Sequence, residues 1–328
     1  MKLKLLSLFS GIGAFEEALK NIGINFELIN YCEFDPQIAK AYSLIHNVSE
    51  DLNLGDINKV DETKLEDFDL MTYGFPCQSF SAQGKRLGFE DETRGNLFFE
   101  SMRIAKYKKP KYMVAENVKG LISHDKGNTF KIILETLESI GYNNYYKVLR
   151  SCDFDIPQAR ERIYIVSIRK DIDDYNFTMP IGKLTDKTVE DIIEDFPRKK
   201  IKESLQIYNN PKYFINEYKS DMNIKKLFDG CGEGYFNSSF SANRIFSIKG
   251  VSPTLTTKND AVYSEINGHL TGRERFKLQG FNPDYVDMLI ENGLQKGLID
   301  KVSGNTITVN VLEEIFKNLF LNMQQINN

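Results

Sequence analysis

Tryptophan is absent from this 328-residue chain, histidine occurs only three times and cysteine four times. The cysteines Cys32, Cys77, Cys152 and Cys231 are scattered without a Cys-x-x-Cys pair, which speaks against a disulfide framework and a zinc site; each is expected to be a free thiol. His46, His124 and His269 stand apart from one another and from paired carboxylates. Neither a histidine-based triad nor any metal centre is therefore predicted, and each histidine reads as an ordinary core or surface residue. No apolar run approaches the length of a membrane span, and Met1-Lys2-Leu3-Lys4 leads into a strand-like segment, unlike a signal peptide. The expectation is a soluble cytoplasmic protein with no membrane partner.

An overall excess of cations is missing too, since the net charge is -4. Its distribution is uneven. Arg198 to Lys277 holds 14 Lys and Arg against 8 Asp and Glu, a local +6 that leaves -10 for the rest of the chain. One face can thus meet phosphates while the remainder stays acidic.

The first half alternates short apolar runs with segments of helical period. Leu3 to Phe9 reads as a buried strand, and Ile12, Phe15, Ala18, Leu19 and Ile22 line one helix face. Further strands are predicted at Phe26 to Cys32, Leu70 to Phe75, Tyr112 to Ala115 and Arg162 to Ile168, with an amphipathic helix from Thr129 to Ile140. This alternation predicts an α/β fold with a mixed, mostly parallel sheet covered by helices. Beyond about Pro180 the pattern loosens, so a second, smaller and irregular domain is expected. Val309, Leu312, Ile315, Phe316 and Leu319 return to helical spacing. The predicted boundaries are 1–182 for the first domain, 183–295 for the second, and 296–328 for a segment that packs back onto the first.

Phe9-Ser10-Gly11-Ile12-Gly13 lies between the first strand and the first helix, where glycines admit a ligand to the backbone and a helix N-terminus offers free N–H groups. Glu33, about 20 residues on, can accept hydrogen bonds from ribose hydroxyls. Glu16 replaces the third glycine of the dinucleotide fingerprint and is a poor neighbour for a pyrophosphate, which favours a phosphate-free cofactor such as S-adenosylmethionine. Asp56 can accept from an adenine amino group.

Gly74-Phe75-Pro76-Cys77-Gln78-Ser79 follows the strand from Leu70, so Cys77 is expected in a loop at the carboxyl edge of the sheet. That position suits a nucleophile, although a free cysteine is more often a buried apolar residue. Glu116-Asn117-Val118 ends another predicted strand and Gln158-Ala159-Arg160-Glu161-Arg162 opens the next. A carboxyl group and two guanidinium groups can therefore converge on one cleft.

In this order and approximate spacing, Phe-x-Gly-x-Gly, Pro-Cys-Gln, Glu-Asn-Val and Gln-x-Arg-x-Arg resemble the cytosine-5 DNA methyltransferase family. Arg94-Gly95-Asn96-Leu97-Phe98-Phe99, Arg273 to Phe281 and Gly304-Asn305-Thr306 extend the match, leaving roughly Thr185 to Asn243 outside it. The compact chain is similar to bacterial or phage enzymes of restriction-modification systems. The resemblance implies a Rossmann-like S-adenosylmethionine-dependent methyltransferase domain, with a target-recognition domain over 183–295. It implies Cys77 as the nucleophile that adds to C6 of a cytosine flipped out of duplex DNA, since C5 is too weak a nucleophile to take a methyl group unaided. Glu116 is expected to hydrogen-bond N3 as an acid, Arg162 to hold O2, and Arg160 to add positive charge near the thiolate and phosphates.

The resemblance further assigns cofactor contacts to Phe9, Gly11, Gly13, Glu33, Phe34, Asp56, Ile57, Pro76, Leu97, Asn305 and Thr306. It assigns DNA contacts to Ser81, Gln83, Lys85, Arg94, Arg244 and Thr254. Ala14 stands where many members carry glycine, and Phe34 where a tryptophan often stacks on adenine. The implied partners are S-adenosylmethionine, double-stranded DNA and an independently acting restriction endonuclease, with the protein itself a monomer. Rival readings are a tRNA cytosine-5 methyltransferase, whose Cys-Phe-Thr signature is not apparent, and a catalytically inactive DNA-binding homologue, which would be expected to lack Cys77, Glu116 or the glycines. A dinucleotide oxidoreductase is disfavoured by Glu16 and the Pro-Cys-Gln loop.

Overall fold

The structure, a computed structural model, describes residues 2–76, 97–195, 220–229, 244–257 and 261–321. The chain divides into two compact units: Met1–Leu149, Glu161–Ile181 and Leu312–Asn328 form the first, and Arg150–Arg160 with Gly182–Val311 the second. The second unit thus takes in residues 296–311 as well as 150–160. Among the described residues, no helix is long and apolar enough to cross a membrane.

The strands in chain order begin with β1 (Leu3–Leu8), β2 (Phe26–Cys32), β3 (Leu70–Tyr73) and β4 (Tyr112–Val118), followed by β5 (Tyr142–Arg150), β6 (Gln158–Ala159) and β7 (Glu161–Arg169). Six of them form the sheet of the first unit in the order β2-β1-β3-β4-β7-β5. β1 to β4 are mutually parallel and β7 runs antiparallel to β4, which is the mixed, mostly parallel sheet expected from the sequence. Parallel neighbours need crossovers. Helix α1 (Ala14–Asn21) supplies the one between β1 and β2, α2 (Pro36–His46) lies on the way to β3, and α3 (Leu97–Lys108) precedes β4.

The central strands are buried on both faces, which explains their continuous apolar runs. All four residues of β3 are buried, and Leu6, Leu8, Met71 and Tyr73 join Phe98, Met102, Ile133 and Leu137 in one core. β4 continues past its predicted end at Ala115 through Val118, held by pairing with β7 in which Val118 lies opposite Arg162. β5, with the polar sequence YNNYYKVLR, was not predicted; it ends the strand order, where only one neighbour constrains its composition. The predicted helix at Thr129 is α4 (Asn128–Ser139).

The second unit has a three-stranded sheet of β8 (Lys226–Asp229), β9 (Arg244–Phe246) and β11 (Val262–Tyr263), in the order β11-β9-β8, and a short pair between β6 and β10 (Ser252–Pro253). Its helices are α5 (Gly272–Lys277), α6 (Asp284–Glu291) and α7 (Lys296–Asn305). α8 (Val309–Phe316) runs from the second unit into the first. Val189, Phe246, Tyr263 and Leu278 centre the second unit's core. Thr271 and Glu274 close a reciprocal capping box that starts α5.

Candidate active site

Because β1 to β4 are parallel, their carboxyl ends share one edge of the sheet, and β7, running the other way, begins there. Phe9 to Gly13 follow β1, Glu33 and Phe34 follow β2, Phe75 and Pro76 follow β3, Glu116 and Asn117 close β4, and Arg162 opens β7. A ligand site at this edge is the general rule for open α/β sheets.

The glycine turn is shaped by left-handed backbone at Phe9, Gly11 and Gly13, with φ of 52°, 56° and 79°. The two glycines adopt that region without a Cβ penalty. Glu33 bridges the turn to the next helix: Oε2 accepts from Gly11 N at 3.0 Å and Oε1 from Asp35 N at 2.9 Å. Phe34 leaves 77% of its surface exposed directly beside that carboxylate. Asp56 accepts from the side chain and backbone of Asn58, and these bonds hold its carboxyl below the ordinary value, so it stays an anionic acceptor. Ile57 is buried, Leu97 is partly buried against the core, and Pro76 is exposed.

Glu16 departs from expectation. Its carboxyl is turned into the core, only 1% exposed, and accepts the Tyr42 hydroxyl at 2.9 Å. Burial raises its pKa above the carboxylate norm. Turned into the core, this carboxyl does not face a ligand in the turn, so the argument from Glu16 against a phosphate-bearing cofactor loses its basis.

At the other half of the edge, Arg162 Nε lies 3.0 Å from Glu116 Oε1. Glu116 is only 9% exposed. Asn117 Nδ2 donates to Phe75 O at 2.8 Å, tying the end of β4 to the segment that leads into Cys77. Cys77, Ser81, Gln83, Lys85 and Arg94 lie outside the described residues. Two other cysteines are unsuited to attack: burial pushes the Cys32 thiol up to about 12 and the Cys152 thiol up to about 11.

In the second unit, Arg160 is buried, and its Nη1 and Nη2 donate to Gly304 O at 3.1 Å and Thr306 O at 2.7 Å. The two acceptors are the backbone carbonyls on either side of the exposed Asn305. Thr254, expected at the DNA backbone, donates its hydroxyl to Ala159 O at 2.6 Å. Arg244 is partly buried on β9. Sequence reasoning missed Asn117, and it missed Gln158 as an organiser: its Oε1 accepts from Leu255 N at 3.0 Å and its Nε2 donates to Leu278 O at 2.7 Å. Their only sequence signal is membership of the motifs that carry Glu116 and Arg162.

Residues 3–321 match the family model described as C-5 cytosine-specific DNA methylase. The orphan methyltransferase M.SPRI of Bacillus phage SPR is 42% identical over 282 residues, which cover 78% of this chain. That match spans 64% of the phage protein's length, and a similar one spans 58% of M.Rho11sI of Bacillus phage rho11s. The type II methyltransferase M.HhaI of Haemophilus parahaemolyticus is 32% identical over 97% of this chain and 94% of its own. Among solved structures, the S. pombe Dnmt2 methyltransferase superposes with a TM-score of 0.71 over 98% of this chain and 99% of that one, at 20% identity, a likeness of fold. With a match across both units and a fold shared with known methyltransferases, the chain belongs to the C-5 cytosine-specific DNA methylase family.

Proposed function

We propose that this chain transfers a methyl group from S-adenosylmethionine to C5 of a cytosine in a specific duplex DNA sequence, with Cys77 as nucleophile. The observation that most supports this reading is the Glu116–Arg162 pair, 3.0 Å apart, on the sheet edge that also carries the glycine turn. Bound S-adenosylmethionine supplies the electrophilic methyl group. The exposed Phe34 ring beside the Glu33 carboxylate fits an adenosine: the ring stacks on the base and the carboxylate accepts from ribose hydroxyls. Asp56 accepts from the adenine amino group, while Phe9, Gly11, Gly13, Ile57, Pro76 and Leu97 line the rest; family resemblance adds Asn305 and Thr306.

The Cys77 thiolate adds to C6 and moves electron density onto C5, Glu116 hydrogen-bonds N3 and Arg162 holds O2. After methylation, loss of the C5 proton expels the thiolate. These groups reach a base only outside the stack, so the target is flipped. Ser81, Gln83, Lys85, Arg94, Arg244 and Thr254 serve the DNA; the hydroxyl of Thr254 must leave Ala159 O or share it to do so. The enzyme acts as a cytoplasmic monomer, and a restriction endonuclease with the same target would act separately.

DNA carrying 5-fluorocytosine at the target should form a covalent adduct in the presence of S-adenosylmethionine, because the C5 fluorine cannot leave as a proton does. An adduct that survives Cys77→Ser sinks the nucleophile assignment. The rival tRNA reading of the sequence makes tRNA the substrate to set beside DNA. Transfer of a labelled methyl group to tRNA in preference to duplex DNA would replace the present reading, and transfer to neither would mark a binding protein.

A further inference from the structure

Gly13 does more than supply conformational freedom. A Cβ at this position would lie 1.9 Å from His46 Nε2 and 2.7 Å from Cδ2, so the imidazole fills the space that any other residue would need. The same Nε2 lies 3.0 Å from the carbonyl oxygen of Ile12. A carbonyl only accepts, so Nε2 carries the hydrogen and donates it. Burial lowers the pKa of this ring below the usual imidazole value, which favours the neutral form with one N–H.

His46 is itself firmly placed at the end of α2. Asp35 caps that helix by accepting from Gln37 N and Ile38 N, with Pro36 in the first turn. The imidazole packs 4.6 Å from the Tyr42 ring, which stacks on Tyr31 at 4.1 Å and donates its hydroxyl to Glu16. The ring therefore meets the glycine turn at two consecutive residues, by a hydrogen bond to Ile12 and by volume against Gly13. We propose that His46 is a positioning residue for the cofactor turn, holding Gly11-Ile12-Gly13 in the curve that keeps Gly11 N on Glu33. This inference rests on the turn being the S-adenosylmethionine site, and adds a residue that neither motif nor composition singles out.

The test is a double-mutant cycle over His46→Ala and Gly13→Ala, reading the Kd for S-adenosylmethionine, the Kd for duplex DNA and the thermal midpoint of the cofactor-free protein. H46A should weaken cofactor binding about tenfold, the worth of one lost hydrogen bond to a buried carbonyl, and change DNA affinity by less than about twofold. G13A should weaken it further in the wild-type background, where the new methyl meets the ring. In the H46A background only the left-handed strain at φ +79° remains, so the loss should shrink.

Additive losses overturn the proposal, as does H46A binding cofactor like the wild type or losing cofactor and DNA affinity equally. Should H46A fail to fold, H46Q keeps a donor with less volume and H46F keeps volume without a donor. Both should weaken cofactor binding selectively, and wild-type affinity in both overturns the proposal. A wild-type protein that binds no S-adenosylmethionine would instead sink the functional reading, while the thermal-midpoint cycle would still decide whether His46 and Gly13 are coupled.

Discussion

Arg160 and Arg162 stand two positions apart in one motif, yet the two regions that hold them use a guanidinium differently. Arg160 belongs to a buried polar network of the second unit, donating to Gly304 O and Thr306 O. Around it, Gln279 Nε2 donates to Ser303 O at 2.6 Å and Thr308 Oγ1 to Gln279 Oε1 at 3.2 Å. Arg162, at the sheet edge of the first unit, keeps 18% of its side chain exposed and faces a carboxylate. Residues i and i+2 share a face only along an unbroken strand. β6 ends at Ala159 and β7 starts at Glu161, so Arg160 sits at the break and strand alternation does not put its side chain on the face of Arg162.

The strongest way to break this comparison is Arg160→Met. It leaves two buried carbonyls without their donors and should cost about 3 kcal/mol, measured by urea denaturation. Arg162→Met should cost less, about 2 kcal/mol, because its pair lies at the sheet edge with some solvent access. Its methyl-transfer rate at saturating DNA and cofactor should instead fall about a hundredfold, the usual worth of one group aimed at a charged reacting centre. If R162M destabilises as much as R160M, or R160M leaves stability intact, the division of roles is wrong.

Much of the first unit was legible in advance because its evidence is local. β3 and β4 start at the residues predicted for them, since a strand buried in a parallel sheet is a near-continuous apolar run. The glycine turn and Glu33 were legible because a motif and a strand end place them. His46 was not: it meets Ile12 across 34 positions, and nothing in its own neighbourhood marks it. Glu16 was misread for a related reason, since spacing located its backbone but only packing shows that its carboxyl turns inward. In the second unit, Gln158, Gln279 and Arg275 are buried polar residues whose partners are mostly backbone carbonyls, and a carbonyl leaves no trace in residue type.

Glu16 extends the comparison to the first unit's own buried charge. Arg160 stays charged among carbonyls, whereas burial raises the Glu16 carboxyl above its ordinary value of 4.5. The folded state then binds this proton more tightly than the unfolded chain does. The stability it contributes is fully present below 4.5 and is lost as pH rises through the folded value. Glu16→Gln can still accept from Tyr42 and has no charge to bury. Its stability relative to the wild type should therefore grow as pH rises above that point, with a slope of at most about 1.4 kcal/mol per pH unit, and then level off. Denaturation midpoints taken across the acid to neutral range check this, and a difference independent of pH would place the carboxyl in solvent.

The smallest effect expected is at the cysteines, where the two regions should behave alike. Cys32 donates to Gly55 O at 3.1 Å and is pushed up to about 12 by burial, with Glu33 adding to the shift; Cys152, in the second unit, is pushed up to about 11. Alkylation needs the thiolate, so at pH 8 both should react about a hundredfold or more slowly than an ordinary cysteine. Brief iodoacetamide treatment of the native protein should leave both peptides unmodified by mass spectrometry, while denaturant exposes all four cysteines of the chain. Any loss of methyl transfer under the brief treatment then arises elsewhere than Cys32 or Cys152. Rapid labelling of Cys32 would show that the end of β2 opens readily, and a turn held in place by Glu33 and His46 should not allow it.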